Sequence, residues 1–139
     1  MADIHDSETR SFNMSQIKGS DTKPELVVRI YLHAHGLRFR LHQKELPGKP
    51  DIILPKYNTV IFVNGCFWHS HMGCRYFVVP KTRTEWWMDK LQKNAKRDTD
   101  NLRTLTSMGW NTITVWECEL KTATRSVTLE KIYNSIISK

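Results

Sequence analysis

The sequence predicts an α/β domain in which helices pack on one mixed sheet, and three observations lead there. Segments of three-to-four apolar spacing and segments of apolar alternation follow one another in the order α-β-β-β-α-β-α. A chain of 139 residues is long enough for one hydrophobic core and too short for two. The composition is that of a folded protein, with 40% hydrophobic and 25% charged residues and only 6 Gly and 5 Pro. Residues 1–20 read as a polar arm and residues 21–139 as a single domain.

Each element has its own signal. Thr22-Lys23-Pro24-Glu25 reads as a capping box with proline in the first turn, and it opens a helix. The apolar positions of that helix are Leu26, Val27, Ile30, Tyr31 and Ala34, with Gly36 as C-cap. Arg38 to His42 alternates, with Phe39 and Leu41 on one face, and predicts a strand. After the turn Pro47-Gly48-Lys49-Pro50, the segments Asp51 to Leu54 and Thr59 to Val63 are apolar strands. A loop rich in Cys, His and aromatic residues runs from Asn64 to about Pro80. Thr82-Arg83-Thr84-Glu85 is a second capping box, and a long helix follows to about Ser107. Its stripe is Trp87, Leu91, Ala95, Asp98, Leu102 and Leu105, and Gly109 ends it. Asn111 to Glu117 alternates as a strand, and Ser126 to Ile137 is a final helix on Leu129, Ile132, Tyr133 and Ile136.

Charge points to a partner class. Lys and Arg number 21 against 14 Asp and Glu, a net charge of +7, which suits a polyanion. Residues 26–56 concentrate the excess, with Arg29, Arg38, Arg40, Lys44, Lys49 and Lys56 against Glu45 and Asp51. No apolar run approaches the roughly 18 residues of a membrane span, and no basic amphipathic helix stands out, so a membrane partner is not expected. The polar N-terminus argues against secretion. The three cysteines, Cys66, Cys74 and Cys118, then read as thiols or metal ligands in a reducing cytoplasm.

Three constellations carry chemistry. Cys66, His69, His71, Cys74 and Cys118 offer five candidates for the four places of a tetrahedral zinc site, and spacing does not choose between the two histidines. Four protein ligands leave no open position, so such a zinc is structural. Among the acids, Asp51 at a strand start can hold Mg²⁺ against a phosphate oxygen. Glu25 is either a second acid there or the third helical residue of the capping box. Asp98 lies on the apolar stripe, where it needs a partner, either a histidine that it orients or a base such as Arg97. Phe67 and Trp68 lie inside the Cys/His loop, and the adjacent Trp86 and Trp87 stand near the start of the long helix beside Lys81 and Arg83; such aromatics either fill the core or serve as apolar wedges between DNA base steps.

The motifs resemble a known family. Gly48-Lys49-Pro50-Asp51, the string Val60-Ile61-Phe62-Val63-Asn64-Gly65-Cys66-Phe67-Trp68-His69, Thr82-Arg83-Thr84-Glu85-Trp86-Trp87, Lys93-Asn94, Arg97-Asp98, Gly109-Trp110 and Val115-Trp116-Glu117-Cys118 closely resemble the very short patch repair (Vsr) DNA mismatch endonucleases. The start, with Met1-Ala2-Asp3, His5-Asp6, Arg10-Ser11 and Asn13-Met14, is similar to the family's arm. The resemblance covers about residues 1 to 121. It implies a restriction-endonuclease-like fold and a bacterial, cytoplasmic DNA repair enzyme that associates with the nucleoid on binding DNA. Such an enzyme nicks one strand 5′ of the T in a T:G mismatch left by deaminated 5-methylcytosine. It implies catalytic Mg²⁺ on Asp51 and the backbone oxygen of Val63, and structural Zn²⁺ on Cys66, His71, Cys74 and Cys118. His69 becomes the general base oriented by Asp98, Glu25 assists, and Phe67, Trp68 and Trp87 intercalate. The arm, residues 1–20, clasps the duplex, and residues 21–139 form the endonuclease domain. A monomer is expected, with contacts to other mismatch-repair proteins. Some members carry His at Asn64 and Thr at Val63, and the zinc loop here is one residue longer than in some. An Asn can orient a phosphate or a water but takes up no proton near neutral pH, so Asn64 is a binding candidate within the catalytic group.

Overall fold

The computed structural model describes residues 22–138 apart from Met72 and Tyr76; the expected arm lies outside the described residues. Helix α1 spans Lys23–Ala34, followed by strands β1 (Arg40–Leu41), β2 (Ile52–Leu54) and β3 (Thr59–Asn64). Helix α2 (Thr84–Ser107), strand β4 (Asn111–Trp116) and helix α3 (Arg125–Ile137) complete the order. Short 3-10 turns occupy Pro55–Tyr57 and Glu117–Leu120.

The four strands form one mixed sheet in the order β1-β2-β3-β4. β1 and β2, and β2 and β3, pair antiparallel, because short connections return the chain directly. β3 and β4 pair parallel over six residues, Thr59 opposite Asn111 through Asn64 opposite Trp116, since the 24-residue α2 supplies the crossover. The tight return between β2 and β3 places Asn58 in the left-handed region at φ 48, a conformation Asn tolerates.

Strand alternation divides the core between two faces. Ile52, Leu54, Ile61 and Val115 meet Val28 and Leu32 of α1 and Leu129, Ile132 and Ile136 of α3. Ile53 and Val60 face the other way onto Leu105 of α2, with Phe62 and Trp110 beside them. Each fully buried Leu or Ile contributes about 1.5–3 kcal/mol.

Three local expectations are corrected. The buried face of α1 is Glu25, Val28 and Leu32, while Leu26 and Ile30 are 41% and 69% exposed. The helix is turned to bury a glutamate that an apolar count skips. Neither expected capping box forms: Thr22 makes no side-chain cap, and Glu25 is drawn instead to Arg29 and His42. At the second, the helix begins at Thr84, whose hydroxyl lies 3.0 Å from the carbonyls of both Pro80 and Lys81. Finally, β1 pairs over only two residues, Arg40 opposite Ile53 and Leu41 opposite Ile52, and Leu41 is exposed.

Candidate active site and metal clusters at the end of strand β3

The chemistry-bearing side chains gather where β3 ends. Asp51 stands just before β2, and its N–H donates to the Ile61 carbonyl at 3.0 Å, which places it alongside β3. Its Oδ2 accepts the Val63 N–H at 2.7 Å. The contact seen at Val63 is therefore its N–H. From α1 comes Glu25, 1% exposed, whose carboxylate meets the Arg29 guanidinium and, at 3.1 Å, the Nε2 of His42. Arg29 Nη2 also lies 2.9 Å from His42 Nε2. Glu25, His42 and Asp51 each offer one ligand atom, and these atoms lie within 4.8 Å of one another. Burial foremost, and then the neighbouring Glu25, push Asp51 up to about 8 against the opposing Val63 N–H and Arg29. A cation there would favour the charged carboxylate.

Sequence reasoning found Glu25 and Asp51 here and missed His42. The residue adopts φ 50, left-handed for a non-glycine residue, and its N–H reaches the Asp51 carbonyl at 3.4 Å. It closes a strand whose apolar pattern hides it, and no spacing relation ties it to Glu25. Arg29 is also relocated: expected among the bases facing phosphate, its side chain is 13% exposed and turned onto Glu25.

A second cluster follows along the chain. Cys66, His71, Cys74 and Cys118 bring their donor atoms within 4.8 Å of one another, while His69 is not in the group. The turn is built by His71 N–H donating to Cys66 O at 2.9 Å and by Gly73 at φ 77, a region open to glycine. Cys118 arrives from the 3-10 turn after β4, its Sγ 3.4 Å from His71 Nδ1. The His71 ring lies flat on Trp116, with centroids 4.1 Å apart and planes 2° from parallel. Burial pushes the Cys66 thiol up to about 12 and also raises Cys118, so thiolates form here when a cation offsets that cost.

The loop between the clusters is fastened to α2. Ser70 Oγ donates to the Leu91 carbonyl at 3.4 Å, and Asn94 Nδ2 donates to the Trp68 carbonyl at 3.3 Å. His69 Nδ1 lies 2.5 Å from Asp98 Oδ2, which resolves the partner of Asp98 in favour of histidine; Arg97 turns to Asn94 instead. A carboxylate only accepts, so Nδ1 carries the proton and Nε2 keeps its lone pair for other work. Both side chains are about one-third exposed, at 33% and 32%, which leaves the dyad open to a substrate.

Phe67, Trp68 and Trp87 come together, with ring centroids 5.1 to 5.8 Å apart. Trp86, 46% exposed, joins them edge-on against Trp87 at 4.9 Å and lies beneath the cations of Arg83 and Lys90. At the opposite end of the sheet edge, Arg38, Arg40 and Lys56 line an open groove of about 380 Å³ with Phe39 and Tyr57.

Comparison with known proteins identifies the family. Residues 2–75 match the family described as DNA mismatch endonuclease Vsr. The chain is 46% identical over 121 residues to the DNA mismatch endonuclease Vsr of Escherichia coli K12, covering 87% of this chain and 77% of that protein. It is equally 46% identical over 121 residues to the Type II nicking enzyme V.NmeAIP of Neisseria meningitidis serogroup A, covering 87% and 86%. Against the Type II nicking enzyme V.XorIIP of Xanthomonas oryzae pv. oryzae it is 46% identical over 120 residues, covering 86% and 88%. The class is thus a DNA endonuclease, a hydrolase of phosphodiester bonds. Within that class, the chain belongs to the Vsr family of DNA mismatch endonucleases and nicks DNA at mismatches in DNA repair.

Proposed function

We propose that this chain nicks one strand of duplex DNA on the 5′ side of the T in a T:G mismatch, and so starts very short patch repair of deaminated 5-methylcytosine. The observation that carries the reading is the His69–Asp98 dyad, exposed on the loop that leaves β3 beside the Asp51 pocket. The mixed sheet with helices on both faces supports a restriction-endonuclease-like fold.

The donor sets fit two different ions. Carboxylate oxygens suit hard Mg²⁺, held by Asp51 with the backbone oxygen of Val63, and Glu25 and His42 lie within reach. Three thiols and an imidazole suit tetrahedral Zn²⁺ in a closed, structural site on Cys66, His71, Cys74 and Cys118. When bound, Mg²⁺ supplies positive charge against the attacked phosphate and the leaving oxygen.

The chain's own residues do the rest. His69 takes a proton from the attacking water at Nε2, and Asp98 holds Nδ1–H so that the ring keeps this tautomer and orientation. Glu25 keeps Arg29 and His42 in place beside Asp51. Phe67, Trp68 and Trp87 wedge into the stack beside the mismatch, where opening costs less than at a matched step. Exposed Lys and Arg hold the backbone phosphates, and the arm, residues 1–20, clasps the duplex. A nick needs one active site, so the enzyme works as a monomer. It acts in the bacterial cytoplasm, at the nucleoid when bound, in contact with other mismatch-repair proteins.

Strand-resolved cleavage of T:G, other mismatched and matched duplexes tests the reading. The expected result is a single nick 5′ of T that requires Mg²⁺, with loss of about 10²–10⁴-fold in rate in His69→Ala. Equal nicking of all mismatches, or cutting of both strands of a matched site, overturns it.

A further inference from the structure

A cavity of about 20 Å³ lies between β3, β4 and α2, lined by Phe62, Asn64, Asp98, Asn101, Leu102 and Thr114. An ordered water needs roughly 10–15 Å³ and two to four polar partners, and this partly open space has room for one. Strand alternation explains its wall: Phe62 and Asn64 share the face of β3 toward α2, and Thr114 pairs with Phe62 across the sheet.

The lining is more polar than a core void. Asn64 is only 9% exposed, and it, Asn101 and Thr114 make no side-chain hydrogen bond among the described residues. None of these polar atoms is sealed from solvent, so each takes its partner from water that enters the pocket. Asp98, the fourth polar wall, gives Oδ2 to His69, which leaves Oδ1 for another donor. Only a donor can satisfy a carboxylate oxygen, and a water donates twice and accepts twice.

We propose that one ordered water fills this cavity and bridges the Asn64 amide to the Asp98 carboxylate, making Asn64 a positioning residue for the dyad. The water donates to Asp98 and accepts from the Asn64 amide or the Thr114 hydroxyl; its second hydrogen goes to an amide oxygen of Asn64 or Asn101. Held from two sides, the carboxylate keeps one orientation beneath His69. The inference rests on the reading of His69 and Asp98 as base and orienter.

The test combines a structural and a kinetic arm on the metal-loaded full chain. A high-resolution crystal structure is expected to show one water within hydrogen-bond distance of Asn64 and Asp98, and none in Asn64→Leu, which keeps bulk without donors. On saturating T:G duplex, Asn64→Leu is expected to lower kcat about tenfold with KM unchanged. Asn64→Ser, which keeps a hydroxyl and room for water, recovers most of that loss. Thr114→Val gives a smaller loss, and the double variant is no worse than Asn64→Leu alone, because both act through the same water. Thr114→Val carries the kinetic arm if Asn64→Leu does not fold. A dry wild-type cavity, multiplying losses, or an effect confined to KM overturns the inference while leaving the dyad intact. Full activity in Asp98→Asn overturns the dyad itself and the positioning role with it.

Discussion

The cysteine cluster and the acidic pocket sit at the same end of β3 yet are assembled in opposite ways. The first draws Cys66, His71 and Cys74 from one nine-residue stretch and borrows only Cys118 from elsewhere. The second takes Glu25 from α1, His42 from the end of β1 and Asp51 from the start of β2, and Arg29 and the Val63 N–H already hold it. One cluster needs an ion to tie a loop down, whereas the other is tied by its own strands and needs an ion only to act. The largest effect should follow from that difference. Removing one ligand with Cys118→Ser, or stripping metal with a chelator, should abolish the cooperative melting transition, since structural zinc contributes on the order of 10 kcal/mol. Metal content and circular dichroism check this. A variant that stays folded and zinc-loaded would break the contrast.

Asp51 should behave in the other way, losing activity while the fold gains. Asp51→Asn is expected to reduce nicking by about 10³-fold or more, through loss of the charge that holds the cation. Burial raises the Asp51 carboxyl from its ordinary 3.8 to about 8, so the folded state prefers the protonated form. The stabilisation this gives is complete below pH about 4 and is lost as pH rises through 8. With zinc retained and Mg²⁺ absent, the melting temperature of Asp51→Asn should therefore match wild type near pH 4, exceed it increasingly up to about pH 8, and hold that gap above. Adding Mg²⁺ should close the gap from the wild-type side. A gap that shrinks with rising pH would show that the pocket does not penalise the charge.

The same contrast explains what could be read from the sequence. Strands β3 and β4 and helices α2 and α3 were legible because apolar side chains repeat with the period of the element. The cysteine cluster was legible because short spacing along the chain is itself a geometric constraint, although spacing alone left His69 and His71 undecided. Glu25 was ambiguous, because the residue that would cap a helix is also the one α1 buries. His42 left no signal. It meets Glu25 across 17 residues and takes a left-handed φ that its neighbours do not announce. Arg29 likewise reads as one more surface base until the turn of α1 carries it inward. Polar groups that meet only through the topology carry no period, and such groups make up this pocket.

His42 gives a more graded test of the contrast. His42→Gln keeps a polar side chain and removes the imidazole, with Asp51 and Glu25 untouched. An imidazole favours Mn²⁺ over Mg²⁺ relative to an all-oxygen pocket. Titration calorimetry is expected to show about tenfold weaker Mn²⁺ binding in the variant, with Mg²⁺ affinity changed less. The melting temperature should move little, because Arg29 remains on Glu25. Equal loss for both ions would mean that His42 shapes the pocket without facing the ion.

The smallest effect separates two kinds of base. Arg38, Arg40 and Lys56 are exposed along the open groove and make no ion pair among the described residues, whereas Arg29 is pinned to Glu25. Each base that neutralises a phosphate steepens the fall of log affinity with log salt by about 0.9. Replacing all three groove bases with Gln should therefore flatten that slope by about 2 to 3 for matched duplex titrated between about 50 and 200 mM salt. The rate on saturating mismatched duplex should hold, since these side chains lie at the far end of β1 and β2 from Asp51. Arg29→Gln should leave the slope unchanged, because its charge is already spent on a carboxylate. If Arg29→Gln flattened the slope and the groove variants did not, the basic excess would act from within the pocket, and the division between a self-held site and a phosphate-holding edge would fail.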